Sequence, residues 1–263
     1  MQEFPILLHC DGDEELVTAK QFAGHVPSEF KNIEYVKSRS IKRCFMIFYD
    51  NSHKNRFFKK LKVIFRFHCG SVFTNVYEYK NVLIAISPLG APAAASLMEE
   101  LALFGIEEFI AVGSAGCLNE NYKDKFILVD KAIRDEGLSY HYLKPSVYVE
   151  PDLELTNRFE DYLKTNKLDY VRSATWTNDA FYRETRQKVE MAINLGAVAV
   201  EMECAAWCAV AKYRNLKFAQ ILYFSDVVKQ ENWSRIVQIK KGYDSSVKDL
   251  ILDLVKDMAV KIS

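Results

Sequence analysis

Residues 81–118, NVLIAISPLGAPAAASLMEELALFGIEEFIAVGSAGCL, decide the fold. Val82 to Ser87 is an apolar run without polar alternation, the pattern of a strand covered on both faces of a parallel sheet. Ser87-Pro88-Leu89-Gly90-Ala91 breaks the run, and Pro92 suits the first turn of a helix, where a missing N–H costs nothing. Leu97, Leu101 and Phe104 recur on one helical face, and Gly105 supplies a stop. Phe109 to Val112 reads as the next buried strand, running into a second glycine-rich turn, Gly113-Ser114-Ala115-Gly116. There the backbone can approach a ligand closely and present amide N–H groups to an anion or a sugar. Two small-residue turns at the carboxyl ends of adjacent parallel strands are where open α/β sheets place their ligands. Tight turns alone would also account for these glycines.

Outward from that unit, strand and helix patterns alternate along most of the chain. Strands are expected at Cys44–Tyr49, Phe126–Ile133, Tyr170–Trp176, Ala197–Val200 and Phe218–Phe224, with a hairpin-like pair at Ile64–Thr74 and Val76–Tyr79. Helices are expected at Asn55–Leu61, Asp152–Lys164, Thr185–Leu195, Cys204–Tyr213 and Val247–Ile262. The alternation predicts a single-domain α/β fold with a mainly parallel sheet and helices on both faces. Residues 1–40 read as an N-terminal extension packed on a domain of residues 41–263, with Asp11-Gly12-Asp13-Glu14-Glu15 a turn into a helix. The turn Asp50-Asn51-Ser52-His53 is a third candidate ligand loop.

Composition narrows the function classes. The 263 residues carry 35 Lys plus Arg against 35 Asp plus Glu, so no basic footprint for nucleic acid or an anionic membrane exists. Six cysteines lack C-x-x-C or zinc-finger spacing, which points to reduced thiols of a cytoplasmic protein without a metal site. No signal peptide is indicated at the N-terminus. Asn81 to Met98 is uncharged, but Pro88, Gly90 and Pro92 interrupt it, which argues against a membrane span.

Three further stretches can carry chemistry. In Ala197-Val198-Ala199-Val200-Glu201-Met202-Glu203-Cys204 a buried strand ends in two carboxylates, costly to bury unless they accept hydrogen bonds; vicinal sugar hydroxyls are apt donors. Acids that favour a helix N-terminus would give the same pattern. Ser225-Asp226 follows another apolar strand, where an aspartate can deliver a proton to a leaving group or simply cap a turn. Thr175 to Thr185 offers Phe181 and Tyr182 for stacking on a planar base, although aromatics are also ordinary core residues.

Taken together, G-A-P at 90–92, V-G-S-A-G at 112–116, D-A-F-Y at 179–182, V-E-M-E at 200–203 and S-D at 225–226 resemble the nucleoside phosphorylase family. That family includes hexameric purine nucleoside phosphorylases, uridine phosphorylases and methylthioadenosine nucleosidases. The resemblance covers roughly residues 41–260, and V-E-M-E with the downstream S-D is its most specific part. It implies a central twisted mixed sheet flanked by helices and cleavage of the bond between ribose C1′ and a nucleobase in purine salvage. Inorganic phosphate would be co-substrate, with no cofactor or metal. By position, Glu203 resembles the acceptor of ribose hydroxyls and Met202 the side chain packed on the sugar. Gly90 belongs to a substrate-side turn, Phe181 resembles the base-stacking aromatic, Ser114 a phosphate or ribose ligand, and Asp226 the acid that protonates a purine. A homo-oligomer, a dimer or trimer of dimers, is implied.

Departures from the family pattern fall at the phosphate end. The first turn lacks the G-D-P-x-x-R sequence of phosphorolytic members, and Ala111 stands where many hexameric purine enzymes carry arginine. His53 is a candidate phosphate ligand, and Lys54, Arg56, Arg66 and His68 are other substitutes. Three readings follow: a purine nucleoside phosphorylase with an altered phosphate site, a nucleosidase using water, or a binding protein without turnover. After Phe181-Tyr182 the chain lacks the glutamine and arginine by which uridine phosphorylases read uracil, and it keeps Asp226, which favours a purine.

Overall fold

The computed structural model describes residues 15–26, 28, 30–48, 52–228, 233–235 and 243–261. In chain order it contains α1 (Ala19–His25), α2 (Ile33–Ser38), β1 (Arg43–Ile47), β2 (Lys62–Cys69), β3 (Val72–Tyr79), β4 (Val82–Ile86), α3 (Ala91–Leu103), β5 (Glu108–Cys117), β6 (Phe126–Asp135) and β7 (Tyr148–Val149). Then follow α4 (Leu153–Thr165), β8 (Tyr170–Asn178), α5 (Arg186–Asn194), β9 (Ala197–Glu201), α6 (Cys204–Tyr213), β10 (Lys217–Val228), β11 (Trp233–Arg235) and α7 (Tyr243–Lys261). The fold is the expected mixed α/β arrangement, one twisted sheet flanked by helices.

The strands run in the order β11-β10-β6-β8-β9-β5-β1-β4-β3-β2, with β7 beside β6 and a further pairing of β10 with β5. Strand β5 pairs in parallel with β1 on one edge and with β10 on the other, while its end meets β9 antiparallel at Gly116 and Cys117. Strands β5, β10, β6, β8 and β9 therefore close on themselves, and β1, β4, β3 and β2 extend from this ring as a wing. Closure leaves no free edge in the ring, and the wing's parallel centre carries the unbroken apolar runs. Phe45 pairs with both Ile84 and Ile110, and all three are buried.

The first part of the deciding stretch, residues 82–105, forms as its pattern dictates. Gly90 takes φ +92°, a backbone shape that favours glycine, and Pro92 occupies the first turn of α3. Leu97, Leu101 and Phe104 are buried, and Gly105, at φ +86°, ends the helix. Helix α6 is buried from Cys204 to Ala211 and lies on α3, where Trp207 Nε1 donates to the Ala94 carbonyl at 3.2 Å. Ahead of β1, Phe30 and Val36 are buried, and the Phe30 ring lies 5.2 Å from that of Phe65. Among the described residues no helix is long and apolar enough to cross a membrane.

Several local expectations are corrected. Gly113 to Gly116 is not a turn: β5 continues through it to Cys117, because β10 supplies hydrogen-bond partners along its whole length. Ser225 and Asp226 do not follow a strand either. They lie inside β10, at a register shift between Phe224 and Asp226 that makes Ser225 a bulged residue. Asn55 to Leu61 is no α-helix: the 3₁₀ turn Ser52–Lys54 precedes it and a second, Phe58–Lys60, lies within it, since Phe58 turns inward to the core against Tyr77. The hairpin turn falls at Gly70-Ser71, with Gly70 at φ +59°, rather than at residue 75. The closing helix starts at Tyr243, and Ile262 lies outside the described residues. Cys69 is exposed, whereas Cys44, Cys117, Cys204 and Cys208 are buried thiols.

Candidate active site

The carboxyl ends of β4, β5, β9 and β10 converge on one cavity of about 390 Å³. Its wall includes Phe48, Ile86, Leu89, Ser114, Gly116, Phe181, Glu184, Val200, Glu201, Met202, Glu203, Ser225 and Asp226. Five positions singled out in the sequence, Ser114, Phe181, Met202, Glu203 and Asp226, thus meet at one place although 112 residues separate the outermost pair. Gly90 joins them indirectly, its N–H donating to Glu203 Oε1 at 2.6 Å. The β4–α3 turn is thereby tied to the β9–α6 turn.

The two glutamates of V-E-M-E have different surroundings. Glu201 Oε2 accepts from the backbone N–H groups of Glu203 at 2.8 Å and Cys204 at 2.7 Å, while Oε1 accepts from Thr177 Oγ1 at 2.6 Å. Thr177 Oγ1 in turn accepts from Ala205 N at 3.0 Å, so these two side chains take up the open N–H groups at the start of α6. Glu201 is the helix-terminal acid, and Glu203 is the one turned to the β4–α3 turn. Burial raises the pKa of both carboxyls, and the Glu201 charge raises Glu203 further; hydrogen bonds from Thr177 and the helix N-terminus work against the rise at Glu201.

The wall also holds Asp226, Ser225 and Glu184. Ser225 Oγ donates to Asp226 Oδ1 at 2.6 Å. Glu184 follows the 3₁₀ turn Phe181–Arg183, and burial, then the charge of Asp226, push its carboxyl up to about 7, against a hydrogen bond from Asn178. Sequence reasoning missed Glu184, because nothing in Tyr182-Arg183-Glu184-Thr185 foretells that β10 will bring Asp226 beside it. Gly116 has a packing reason: a Cβ there would lie 2.8 Å from Val200 Cγ1 and 2.9 Å from Val228 Cγ2. Only glycine lets β5, β9 and β10 meet this closely.

The phosphate-side candidates fare differently. The side chain of His53 lies outside the described residues, as do Tyr49, Asp50 and Asn51. Lys54, Arg56, Arg66 and His68 do not line the cavity; Arg66 Nε donates to Asn75 on the exposed β2–β3 hairpin, and His68 lies against Phe73. The described wall holds four carboxyl side chains and no lysine, arginine or histidine.

An α/β sheet in which strand ends of the wing (β4) and of the ring (β5, β9, β10) line one cavity is the architecture, and comparison with known proteins gives the family. The chain belongs to the phosphorylase superfamily, whose family model matches residues 49–251. It is 26% identical over 161 residues to purine nucleoside phosphorylase DeoD-type 1 of Shewanella oneidensis, covering 60% of this chain and 68% of that protein. It is 26% identical over 146 residues to guanosine phosphorylase of Halorubrum lacusprofundi, covering 55% and 61%. To uridine phosphorylase of Thermococcus kodakarensis it is 31% identical over 112 residues, covering 41% and 40%. The matches therefore span about two thirds or less of these relatives. Among solved structures, AMP nucleosidase from Bacteroides thetaiotaomicron shares the fold with a TM-score of 0.64 at 17% identity, over 79% of this chain and 87% of that one. Futalosine hydrolase of Helicobacter pylori does so with a TM-score of 0.58 at 14% identity, over 73% and 86%.

Proposed function

We propose that this protein cleaves the N-glycosidic bond of a purine nucleoside by phosphorolysis, releasing the free base and ribose 1-phosphate. The observation that carries the reading is a single cavity in which Met202 and Glu203, Phe181, and Asp226 share one wall. Breaking the C1′–N9 bond leaves positive charge on the sugar and puts the electron pair on the base. Glu203 accepts hydrogen bonds from the ribose hydroxyls, Met202 packs on the sugar, Phe181 stacks on the base, and Asp226 protonates N7 as the base leaves. A phosphate oxygen then bonds to C1′, with the Ser114 hydroxyl in the cavity wall as its ligand. The similarity to purine and guanosine phosphorylases supports this assignment. A homo-oligomer, a dimer or trimer of dimers, is part of the same proposal.

Hydrolysis is the second reading. It is favoured by the cavity's described wall, where carboxyl side chains are not offset by any cation that would hold phosphate. Charge-assisted bonds contribute about 1.5–3 kcal/mol each, so a site without them binds phosphate in the millimolar range, ~4 kcal/mol, rather than the micromolar, ~8 kcal/mol. Base release assayed with and without phosphate separates the readings. Phosphorolysis gives ribose 1-phosphate and a rate that climbs with phosphate; free ribose formed at the same rate in phosphate-free buffer replaces it with hydrolysis. No base from any nucleoside tried leaves a binding protein.

A further inference from the structure

Glu184 belongs to the cavity, yet the reaction as written makes no use of it. Its environment is set by named groups. It shares the cavity with Asp226 of β10, whose charge acts on it, and from the end of β8 it meets the neutral amide of Asn178. Glu201 and Glu203 line the same cavity, and on its own segment it is flanked by exposed Arg183 and by Arg186, the first residue of α5. Neither arginine lines the cavity. Burial and the neighbouring Asp226 charge make ionisation of Glu184 costly, so Glu184 keeps its proton into the neutral range. Asp226 already receives the Ser225 hydroxyl at 2.6 Å, a bond that suits an accepting oxygen. Burial and the Asp226 charge push Glu184 up to about 7, which puts the retained proton on Glu184 near neutral pH.

We propose that Glu184 and Asp226 act as a carboxyl pair holding one proton, and that Glu184 supplies the proton that Asp226 passes to the departing base. This deepens the purine nucleoside reading and rests on it. As the C1′–N9 bond breaks, its electron pair goes to the base, the Glu184 proton passes to a carboxylate oxygen of Asp226, and Asp226 delivers it to N7. The pair ends doubly ionised and regains its proton from water after the products leave. Glu184 acts through Asp226 and is a positioning residue for the proton, not a group in contact with substrate.

The test compares inosine, whose base needs a proton to leave, with 7-methylguanosine, whose N7 is already alkylated and whose base leaves without one. With wild-type protein, kcat on inosine falls as pH rises through about 7, and 7-methylguanosine shows no such fall. Glu184→Gln lowers kcat on inosine by about ten- to hundredfold and abolishes the fall near neutral pH, with a much smaller loss on 7-methylguanosine. Glu184→Asp, which keeps a carboxyl, restores the fall. Equal losses on the two nucleosides, or an inosine profile unchanged in Glu184→Gln, overturn the carboxyl pair while leaving nucleoside cleavage in place. Failure of the wild-type protein to release base from either nucleoside overturns the underlying reading and the pair with it.

Discussion

Replacing Glu203 by glutamine and by alanine separates its structural bond from its proposed contact with the sugar. Oε1 accepts the Gly90 N–H at 2.6 Å, and the side chain is 3% exposed beside Glu201. Glutamine keeps an acceptor for Gly90 and removes a charge; alanine leaves that N–H without its partner. Alanine is therefore expected to be less stable than glutamine by about 1–3 kcal/mol, with each kcal/mol worth about 2–4 °C in Tm for a chain of this size. The pH dependence has a definite sign. Burial and the Glu201 charge raise the Glu203 pKa in the folded state, so its proton adds stability that is fully present at low pH and is lost as pH rises through the raised value. Glutamine should thus match wild type in acid and exceed it in alkaline buffer. In catalysis, at a pH above the raised Glu203 value, two charge-assisted bonds to ribose hydroxyls contribute about 3–6 kcal/mol, so alanine should lose about 10²–10⁴ in kcat/KM, and glutamine less. Thermal unfolding across pH, with kcat/KM on a purine nucleoside, measures both. A folded alanine variant with wild-type kcat/KM would refute the sugar contact, and equal stabilities of the two variants would refute the Gly90 bond.

Substitutions at three other positions probe the site. Gly116→Ala places a Cβ within 2.9 Å of two buried valines on neighbouring strands; it should cost about 1–3 kcal/mol, read as a lower urea midpoint at unchanged slope, and an unchanged midpoint would mean the strands do not meet so closely. Phe181→Ala should raise KM for a purine nucleoside about five- to hundredfold, from ~1–3 kcal/mol of lost stacking, whereas Phe181→Tyr should not; equal KM values in all three proteins would remove the stacking role. Since burial and the Asp226 charge push Glu184 up to about 7, its proton stabilises the fold at low pH and that contribution is lost as pH rises through 7. Glu184→Gln should therefore melt above wild type at pH values beyond 7 and together with it in acid, and the opposite order would show that the carboxylate is stabilising.

Much of the site was legible because its parts are short backbone events. Gly90 needs a positive φ, Pro92 opens a helix, and Val-Glu-Met-Glu marks the passage from a buried strand into a buried helix. Each is written in adjacent residues. Strand ends were less legible: Gly113 to Gly116 and Ser225-Asp226 look like turns, yet both lie within strands because β5 and β10 extend each other by pairing. Helix Asn55–Leu61 failed for a related reason, since burial of Phe58 in the core outweighed local helical spacing.

The sequence by itself determined the α/β class, the order of its central elements and most of the residues that share the cavity, since propensity, patterning and glycine placement act over a few residues. Only the tertiary structure decided how those residues meet. Closure of the ring through the β5–β10 pairing brings Asp226 beside Glu184, and the packing of α3 on α6 sets the Gly90 N–H against Glu203. The carboxyls' charge states follow from that meeting, because a pKa responds to burial and to neighbouring charge, and neither exists until distant strands come together.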